Sequence, residues 1–294
     1  MSRLKSVLKN PKKISTFLET KGFFNILSDK AYVKLVYKRC IGKKLDLDNP
    51  KTFNEKIQWL KLYDRKPEYT SLVDKYKVKK IVADKIGEEY IIPTLGVWDK
   101  FEEIDFDKLP NQFVLKCTHD SGSIIICKDK SKLDLSAAKN KLNKSLKKNY
   151  FYPGREWSYK NVKPRIIAEE YIGTGLIDYK FLCYNGKVKN MFTCSGREKG
   201  RLFVDFFDLN WNHLDFKRHY PNSETELKKP KNFEKMIEFS EIISKELLFA
   251  RIDFYNIDGK IYFGEITFYP GSGFEEFTPD EWDLRLGEMI KLNN

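Results

Sequence analysis

The stretch FARIDFYNIDGKIYFGEITFYPG, residues 249–271, holds the densest chemistry in the chain. Ile252–Tyr255 and Lys260–Phe268 are rich in β-formers and meet across Ile257-Asp258-Gly259, so the stretch reads as a hairpin. Side chains two apart on a strand share a face. Arg251 and Asp253 therefore lie together, as do Glu265 and Thr267, and the hairpin sets the two pairs side by side. Two carboxylates, a hydroxyl and a guanidinium then crowd one surface. Close carboxylates repel unless a proton or a cation sits between them. All-oxygen donors of this kind suit Mg²⁺, which takes one or two carboxylates and completes its shell with water and substrate phosphate. A surface hairpin with solvated acids fits the same spacing.

Working outward, the same punctuation recurs. Tyr179–Tyr184 and Lys187–Cys194 are strands joined by Asn185-Gly186, a strong hairpin signal. Arg165–Tyr171 is a strand ended by Gly173-Thr174-Gly175, and Arg201–Phe207 is another. Gln112–Cys117 and Ser123–Cys127 flank the turn cluster His119-Asp120-Ser121-Gly122. Leu135, Ala138, Leu142 and Leu146 mark one helix; Phe233, Met236, Ile237, Ile243 and Leu247 mark a second. The first hundred residues are mostly helical. One helix starts at Asn10-Pro11 and stops at Gly22, and another runs from Asp29 to Ile41 with Gly42 ending it. Thr52-Phe53-Asn54-Glu55 has capping-box spacing, and a longer helix covers 68–86. Hairpin-linked strands with helices between them predict an α+β architecture rather than a doubly wound parallel sheet.

Composition narrows the class. At 294 residues, 41% hydrophobic and 15% aromatic, the chain is one large domain or two compact ones, not a disordered polymer. No apolar run approaches the roughly 18–20 residues that span a bilayer. Glu19, Lys21 and Asn25 interrupt any secretory signal, so the expected location is the cytoplasm. Five cysteines without a C-x-x-C, and three histidines without a ligand motif, argue against disulfides and zinc. The net charge is +12, but residues 1–44 carry +10 of it and the remaining 250 only +2. A nucleic-acid reading based on the pI of 9.2 would therefore mislead, because the body is nearly neutral. The basic arm can meet an anionic membrane surface, a polyanionic glycan or nucleic acid, or be a solvated helical face with no partner.

Two further stretches carry chemistry more weakly. Lys116 ends an apolar strand before the Thr118–Ser123 turn, where small residues let backbone N–H groups approach phosphate oxygens and the lysine adds a point charge. A single glycine in a hairpin is also ordinary turn chemistry, and no Walker loop occurs. Ile166-Ile167-Ala168-Glu169-Glu170-Tyr171-Ile172-Gly173 is a strand leaving into acidic residues, suited to line an adenine slot or simply to end a strand.

Taken in order, these three stretches resemble the ATP-grasp fold, and within it the teichuronopeptide-biosynthesis (TupA-like) branch. Lys51–Lys56, Asp74-Lys75-Tyr76, Phe113–Cys117, Arg155–Lys160 and Arg251–Phe254 carry the closer likeness, over roughly 45–282. The resemblance implies two α+β subdomains clasping ATP behind a helical N-terminal region. The expected division is a basic arm at 1–44, a helical region at 45–105, a small subdomain at 106–175 and a large one at 176–294. It implies that Lys75 and Lys116 reach the nucleotide phosphates, that Ser121, Gly122 and Ser123 cover them, and that Glu169, Glu170, Tyr171 and Ile172 form the adenine hinge. Asp178 would hold the ribose. Asp253, Glu265 and Thr267 would bind Mg²⁺, two ions being expected, with Thr267 replacing the family's usual Asn. Arg251 would stabilise charge on the transferring phosphoryl group.

The implied reaction is carboxylate–amine ligation through an acyl phosphate. The implied substrates are ATP, a uronic-acid-containing glycan or sugar nucleotide, and an amino acid or amine, in surface-polysaccharide synthesis. Arg155, Arg197 and Arg201 are spare cations for a substrate carboxylate or plain loop residues. The arm would then hold the enzyme at the inner face of the cytoplasmic membrane. A glycosyltransferase is the rival, through Asp46-Leu47-Asp48 or Asp105-Phe106-Asp107. A phosphotransferase on the same fold is another.

Overall fold

The computed structural model describes residues 22–197 and 200–292; the helix expected from Asn10 to Gly22 lies almost wholly outside them. Helix α1 (Asp29–Ile41) starts where Ser28 Oγ accepts the Ala31 N–H and stops at Gly42 in a left-handed conformation. Its Tyr32, Val33, Val36 and Tyr37 pack with Leu45 and Leu47 into a small separate core. Helix α2 (Phe53–Tyr63) opens on the capping box: Glu55 N–H donates to Thr52 Oγ1 at 3.2 Å and Thr52 N–H to Glu55 Oε2 at 3.0 Å.

The single helix expected over 68–86 is two, α3 (Tyr69–Val73) and α4 (Lys77–Ile86). Asp74 breaks it. Its Oδ1 accepts the N–H groups of Tyr76 and Lys77, so the side chain offers the backbone a turn in place of a helical bond. Its Oδ2 accepts from Arg165 at 2.9 Å, and Lys75 N–H donates to Thr118 O at 3.0 Å. The break thus ties Lys75 to the end of the small sheet.

That sheet is antiparallel with order β1-β4-β2-β3, from β1 (Thr94–Trp98), β2 (Phe113–Cys117), β3 (Ile125–Cys127) and β4 (Ile166–Glu170). Helix α5 (Leu135–Leu146) covers it with Ala138 and Leu142 over Phe113, Leu115 and Ala168. Strand β1 precedes residue 106, so the small lobe begins earlier than the expected division. Its Thr-Leu-Gly-Val-Trp run carries too little period-2 polarity to announce a strand.

The large sheet has order β11-β10-β5-β6-β7-β8, with every pair antiparallel. Its strands are β5 (Asp178–Tyr184), β6 (Lys187–Ser195), β7 (Phe203–Phe207), β8 (His213–Leu214), β10 (Phe249–Ile257) and β11 (Lys260–Thr267). Between β8 and β10 lie β9 (Lys217–Arg218) and α6 (Phe233–Ser244), and after β11 come β12 (Phe277–Thr278), paired with β9, and α7 (Glu281–Met289). Phe233, Met236, Phe239 and Ile243 of α6 bury one face of the sheet, with Phe181 and Phe254 beneath them. The other face carries Arg251, Asp253 and Lys180 and looks toward the small lobe.

One residue decides which side chains reach that second face. Ile257 pairs with Lys260, Asn256 with Ile261, Tyr255 with Tyr262 and Phe254 with Phe263. Continued unbroken, this register would set Asp253 opposite Gly264 and turn Glu265 to the α6 side. Instead Gly264 is bulged out, so Asp253 faces Glu265 and Arg251 faces Thr267. The face shared by these four residues therefore depends on a glycine that simple alternation does not reveal.

Candidate active site

Arg251 lies at the centre of the cleft face. Its Nε donates to Asp253 Oδ1 and its Nη2 to Asp253 Oδ2, both at 2.7 Å, and Nη2 also reaches Glu265 Oε1 at 2.8 Å. Thr267 Oγ1 lies 3.5 Å from the same Glu265 oxygen. Directly across the β5–β10 register from Asp253 stands Lys180, whose Nζ donates to Asp253 Oδ2. Lys180 continues to Asp178 at 3.8 Å, and Asp178 takes Arg197 Nε at 3.2 Å.

The small lobe contributes the opposite wall. Lys75 Nζ donates to Asp120 O at 2.5 Å and lies 4.0 Å from Glu265 Oε2, bridging the lobes. Lys116 Nζ and Lys79 Nζ clasp the Glu169 carboxylate at 2.5 and 2.7 Å. The expected residues Lys75, Lys116, Arg251, Asp253, Glu265 and Thr267 thus converge, with Asp178 and Arg197 at one end.

The electrostatics follow from burial against charge. Burial pushes the Glu265 carboxyl up, but Lys75, Arg251, Lys180 and Lys116 outweigh it and hold it down at about 2. Burial likewise raises Glu169, and Lys116 and Lys79 more than reverse it. Asp253 goes the other way: its burial exceeds the pull of Arg251 and Lys180, and its carboxyl is raised. Burial lowers Lys79, whereas in Lys180 the neighbouring Asp253 overcomes burial and raises the ammonium. Glu265 is the open carboxylate, with 35% of its side chain exposed, against 4% for Asp253. Among the described residues no group of three or more His, Cys, Asp or Glu gathers to hold a metal. Protein donors to Mg²⁺ therefore come down to Glu265, with Asp253 and Thr267 beside it. That set fits an ion that leaves most of its shell to water and phosphate.

Several expected site residues sit elsewhere or are already engaged. Ser123 is buried, accepts Cys117 N–H at 2.8 Å and donates to Asp120 Oδ1 at 2.6 Å, so it braces the turn instead of covering a ligand. Ser121 and Gly122 remain at the open tip, where Gly122 has φ +92°. The Glu169 side chain is committed to its two lysines. Glu170 is exposed, with its N–H on Pro93 O; Tyr171 and Ile172 follow beyond the strand end, half-buried.

Arg155 is corrected outright as a substrate cation. It is 1% exposed, lies 4.4 Å from the Tyr32 ring centroid, and is spent on Asp29 and the Phe24 and Leu27 carbonyls. Arg201 is a surface residue paired with Glu224 at 3.4 Å.

Three cleft residues escaped the sequence reading. Lys79 and Lys180 look like routine polar positions of a helix and a strand. Arg218 belongs to the two-residue strand β9 and is buried over the Phe192 ring at 4.5 Å, with Glu275 Oε2 3.0 Å from its Nε. Arg251 lies 5.9 Å from the same ring. Among the described residues no acceptor binds the terminal nitrogens of Arg218. Beside it, Pro270–Gly273 forms a turn in which Gly271, Ser272 and Gly273 all have positive φ. Gln58 Nε2 and Lys61 Nζ of α2 hold its carbonyls, and Ser272 Oγ donates to the buried Glu156.

Two lobes, each an antiparallel sheet with helices, facing one another across lysines and a carboxylate–arginine hairpin, define an ATP-grasp protein. The family model described as TupA-like ATPgrasp matches residues 55–291, and the chain belongs to that family. No curated protein matches the sequence. Among solved structures it is similar to D-alanine–D-alanine ligase from Bacillus anthracis complexed with ATP. Identity there is 21%, over 67% of this chain and 53% of that one, with a TM-score of 0.38. The corresponding ligase from Helicobacter pylori is 17% identical over 82% and 68% of the two chains, with a TM-score of 0.40. The ATP-grasp ligase PsnB with minimal precursor, Mg and ADP is 8% identical over 73% and 57%, with a TM-score of 0.39. The chain spans little more than half the length of the Bacillus anthracis enzyme.

Proposed function

We propose that the protein is an ATP-dependent carboxylate–amine ligase that joins an amino acid or amine to a uronic acid of a surface polysaccharide. The observation that carries the ligase reading is the cleft face itself. Arg251, Asp253, Glu265 and Lys180 meet in register on one sheet, and Lys75 and Lys116 face them from the other lobe. Phosphoryl transfer needs positioning and charge neutralisation more than a nucleophilic side chain. That is what this face offers.

In the reaction, a carboxylate oxygen of the acid attacks the γ-phosphorus of ATP and ADP leaves. The amine nitrogen then attacks the acyl carbon, the C–O bond to phosphate breaks, and inorganic phosphate departs with the amide formed. Lys75 and Lys116 hold the phosphates by charge, the Ser121-Gly122 tip closes over them, and the backbone at Tyr171-Ile172 meets the adenine. Asp178 takes the ribose. Arg251, braced by Asp253, presents its guanidinium to the negative charge that develops at the acyl centre. Glu265, with Thr267 beside it, would hold Mg²⁺, which would supply Lewis-acid polarisation of the phosphate oxygens. Arg218 takes over the role expected of Arg155 and Arg201. Its unbonded terminal nitrogens, one phenyl ring from Arg251, anchor a second anionic group on the substrate.

Charge alone supports the inner membrane face. Lys30, Lys34 and Lys38 are exposed on one stripe of α1, next to exposed Phe23 and Ile26. No helix among the described residues is long and apolar enough to cross a membrane. The glycosyltransferase reading loses its motif. Asp46 Oδ1 caps the N–H groups of Asp48 and Asn49, and Asp105 Oδ1 caps Asp107 N–H, both on exposed turns.

Calorimetric titration of MgATP, and separately of UDP-sugars, into wild type and Glu265→Ala tests the reading. MgATP binding that the variant loses supports it, and ADP release stimulated by an acid and an amine together then identifies the substrates. UDP-sugar binding without ATP binding overturns it. ADP release without an amide product assigns a phosphotransferase.

A further inference from the structure

Asp253 has three of its carboxylate's roughly four lone-pair sites taken by protein donors, including both on Oδ2. Oδ1 accepts from Arg251 Nε, and Oδ2 accepts from both Arg251 Nη2 and Lys180 Nζ. The carboxylate is 3% exposed and Lys180 is 6% exposed. Their contact is set by strand pairing, because Asp253 and Lys180 are direct partners across β10 and β5. A lysine so placed cannot swing away without leaving a buried charge unpaired on each side, which is costly. Glu265 contrasts with it: its Oε2 has only Lys75, at 4.0 Å, and the side chain is open to the cleft.

Charge bookkeeping gives the second argument. Apart from the self-neutralising Arg218–Glu275 pair, the ion pairs lining the cleft form two chains, Lys79–Glu169–Lys116 and Lys75–Glu265–Arg251–Asp253–Lys180–Asp178–Arg197. Six cations meet four carboxylates, so the wall carries +2. One MgATP²⁻ neutralises it. A second divalent ion would leave +2 uncompensated in a site of low dielectric, where unscreened charge is expensive.

We propose that this site takes one divalent ion with its nucleotide, not the two expected from the resemblance, and that Lys180 stands where the second ion's charge would be needed. This rests on the ATP reading above. Glu265 is then the ligand to the single ion. Asp253 is a positioning residue that fixes Arg251 and Lys180 instead of binding metal. A built-in ammonium keeps that part of the charge independent of metal concentration.

The test counts ions on the full-length chain. Mn²⁺ is titrated in the presence of saturating β,γ-imido-ATP. Bound ion is read from the loss of the free Mn²⁺ paramagnetic resonance signal and checked by equilibrium dialysis against analogue alone. One Mn²⁺ per chain is expected for wild type and for Lys180→Arg. Lys180→Met, which takes one of the two donors off Asp253 Oδ2 and removes one positive charge, is expected to bind two. Two ions on wild type overturn the proposal, whether or not the methionine variant folds. A folded Lys180→Met that still binds one ion removes Lys180 from the role. If the analogue binds to wild type with two ions, the ATP reading survives and only this inference falls. If the analogue does not bind at all, both fall.

Discussion

At the scale of single residues, the cleft is a set of charges whose partners are fixed before any substrate arrives. Arg251 makes three charge-assisted hydrogen bonds in the plane of its guanidinium, two of them to one carboxylate. Lysine cannot reproduce that fork. Arg251→Lys is expected to lower kcat by about a hundredfold or more, the usual effect of losing a preorganised donor, with MgATP affinity within a few-fold of wild type. Steady-state kinetics beside calorimetry separates the two, and an equal loss in both would make Arg251 a binding residue only.

Glu265 gives a pH signature. Its carboxyl is held near 2 against an ordinary 4.5, so the folded state keeps it ionised where the unfolded chain takes up a proton. Its contribution is whole above pH 4.5 and is lost as pH falls toward 2. Urea midpoints between pH 7 and pH 3 should therefore fall less steeply in Glu265→Gln than in wild type. Parallel slopes would mean that the lysines and Arg251 do not reach it. These residues were legible from sequence because they sit in stretches with dense, unusual chemistry. Lys180 was not: Tyr179-Lys180-Phe181 reads as ordinary alternation, and only the strand register shows the lysine opposite Asp253.

Elements carry the geometry one level up, and here the hairpin of β10 and β11 is instructive. Period-2 reasoning on each strand paired Arg251 with Asp253 and Glu265 with Thr267. It set the two pairs on one surface without seeing that an unbroken register would part them. The bulge at Gly264 keeps them together. A Cβ there would lie 3.1 Å from Asp253 O and 3.4 Å from Asp253 Cβ, so a side chain presses on the very residue that braces Arg251. Gly264→Ala is expected to cost about 1–3 kcal/mol, the range for overpacking a tight site, and to weaken MgATP binding with it. Chemical denaturation and calorimetry on the same variant check both. A stability loss with intact binding would confine the glycine's role to packing.

The helical region offers the comparison. Capping residues announced α1 and α2 correctly because caps are local. The break at Asp74 was missed because its cause, the turn that carries Lys75 to Thr118, is partly tertiary. Strand β1 was missed for the same kind of reason: it is a strand because β4 lies beside it.

For the molecule as a whole, α1 belongs to the folded body as well as to the basic arm. Asp29 takes Arg65 at 2.7 Å and Arg155 at 3.3 Å, and Arg155 is buried against Tyr32. Removing residues 1–44 would strand a buried guanidinium, so truncation cannot separate membrane binding from folding. The exposed stripe can. Lys30, Lys34 and Lys38 have no acidic partner among the described residues and lie four positions apart, on one side of α1. Each basic residue near an anionic surface contributes about 1 kcal/mol, so reversing three should weaken attachment by two or more orders of magnitude. In flotation with phosphatidylserine-containing vesicles, wild type is expected to rise with the lipid at low salt and Lys30→Glu/Lys34→Glu/Lys38→Glu to stay below. Thermal stability should change little, since none of the three is buried. The same body should gain stability from MgATP by mass action, about 2.7 kcal/mol at a hundred times Kd. That gain should be equal in wild type and the triple variant, because the stripe lies outside the cleft's ion-pair network. A variant that floats like wild type removes the membrane from the proposal and leaves the ligase reading intact. A variant that loses the nucleotide-dependent stabilisation would instead couple α1 to the cleft through Asp29 and Arg155.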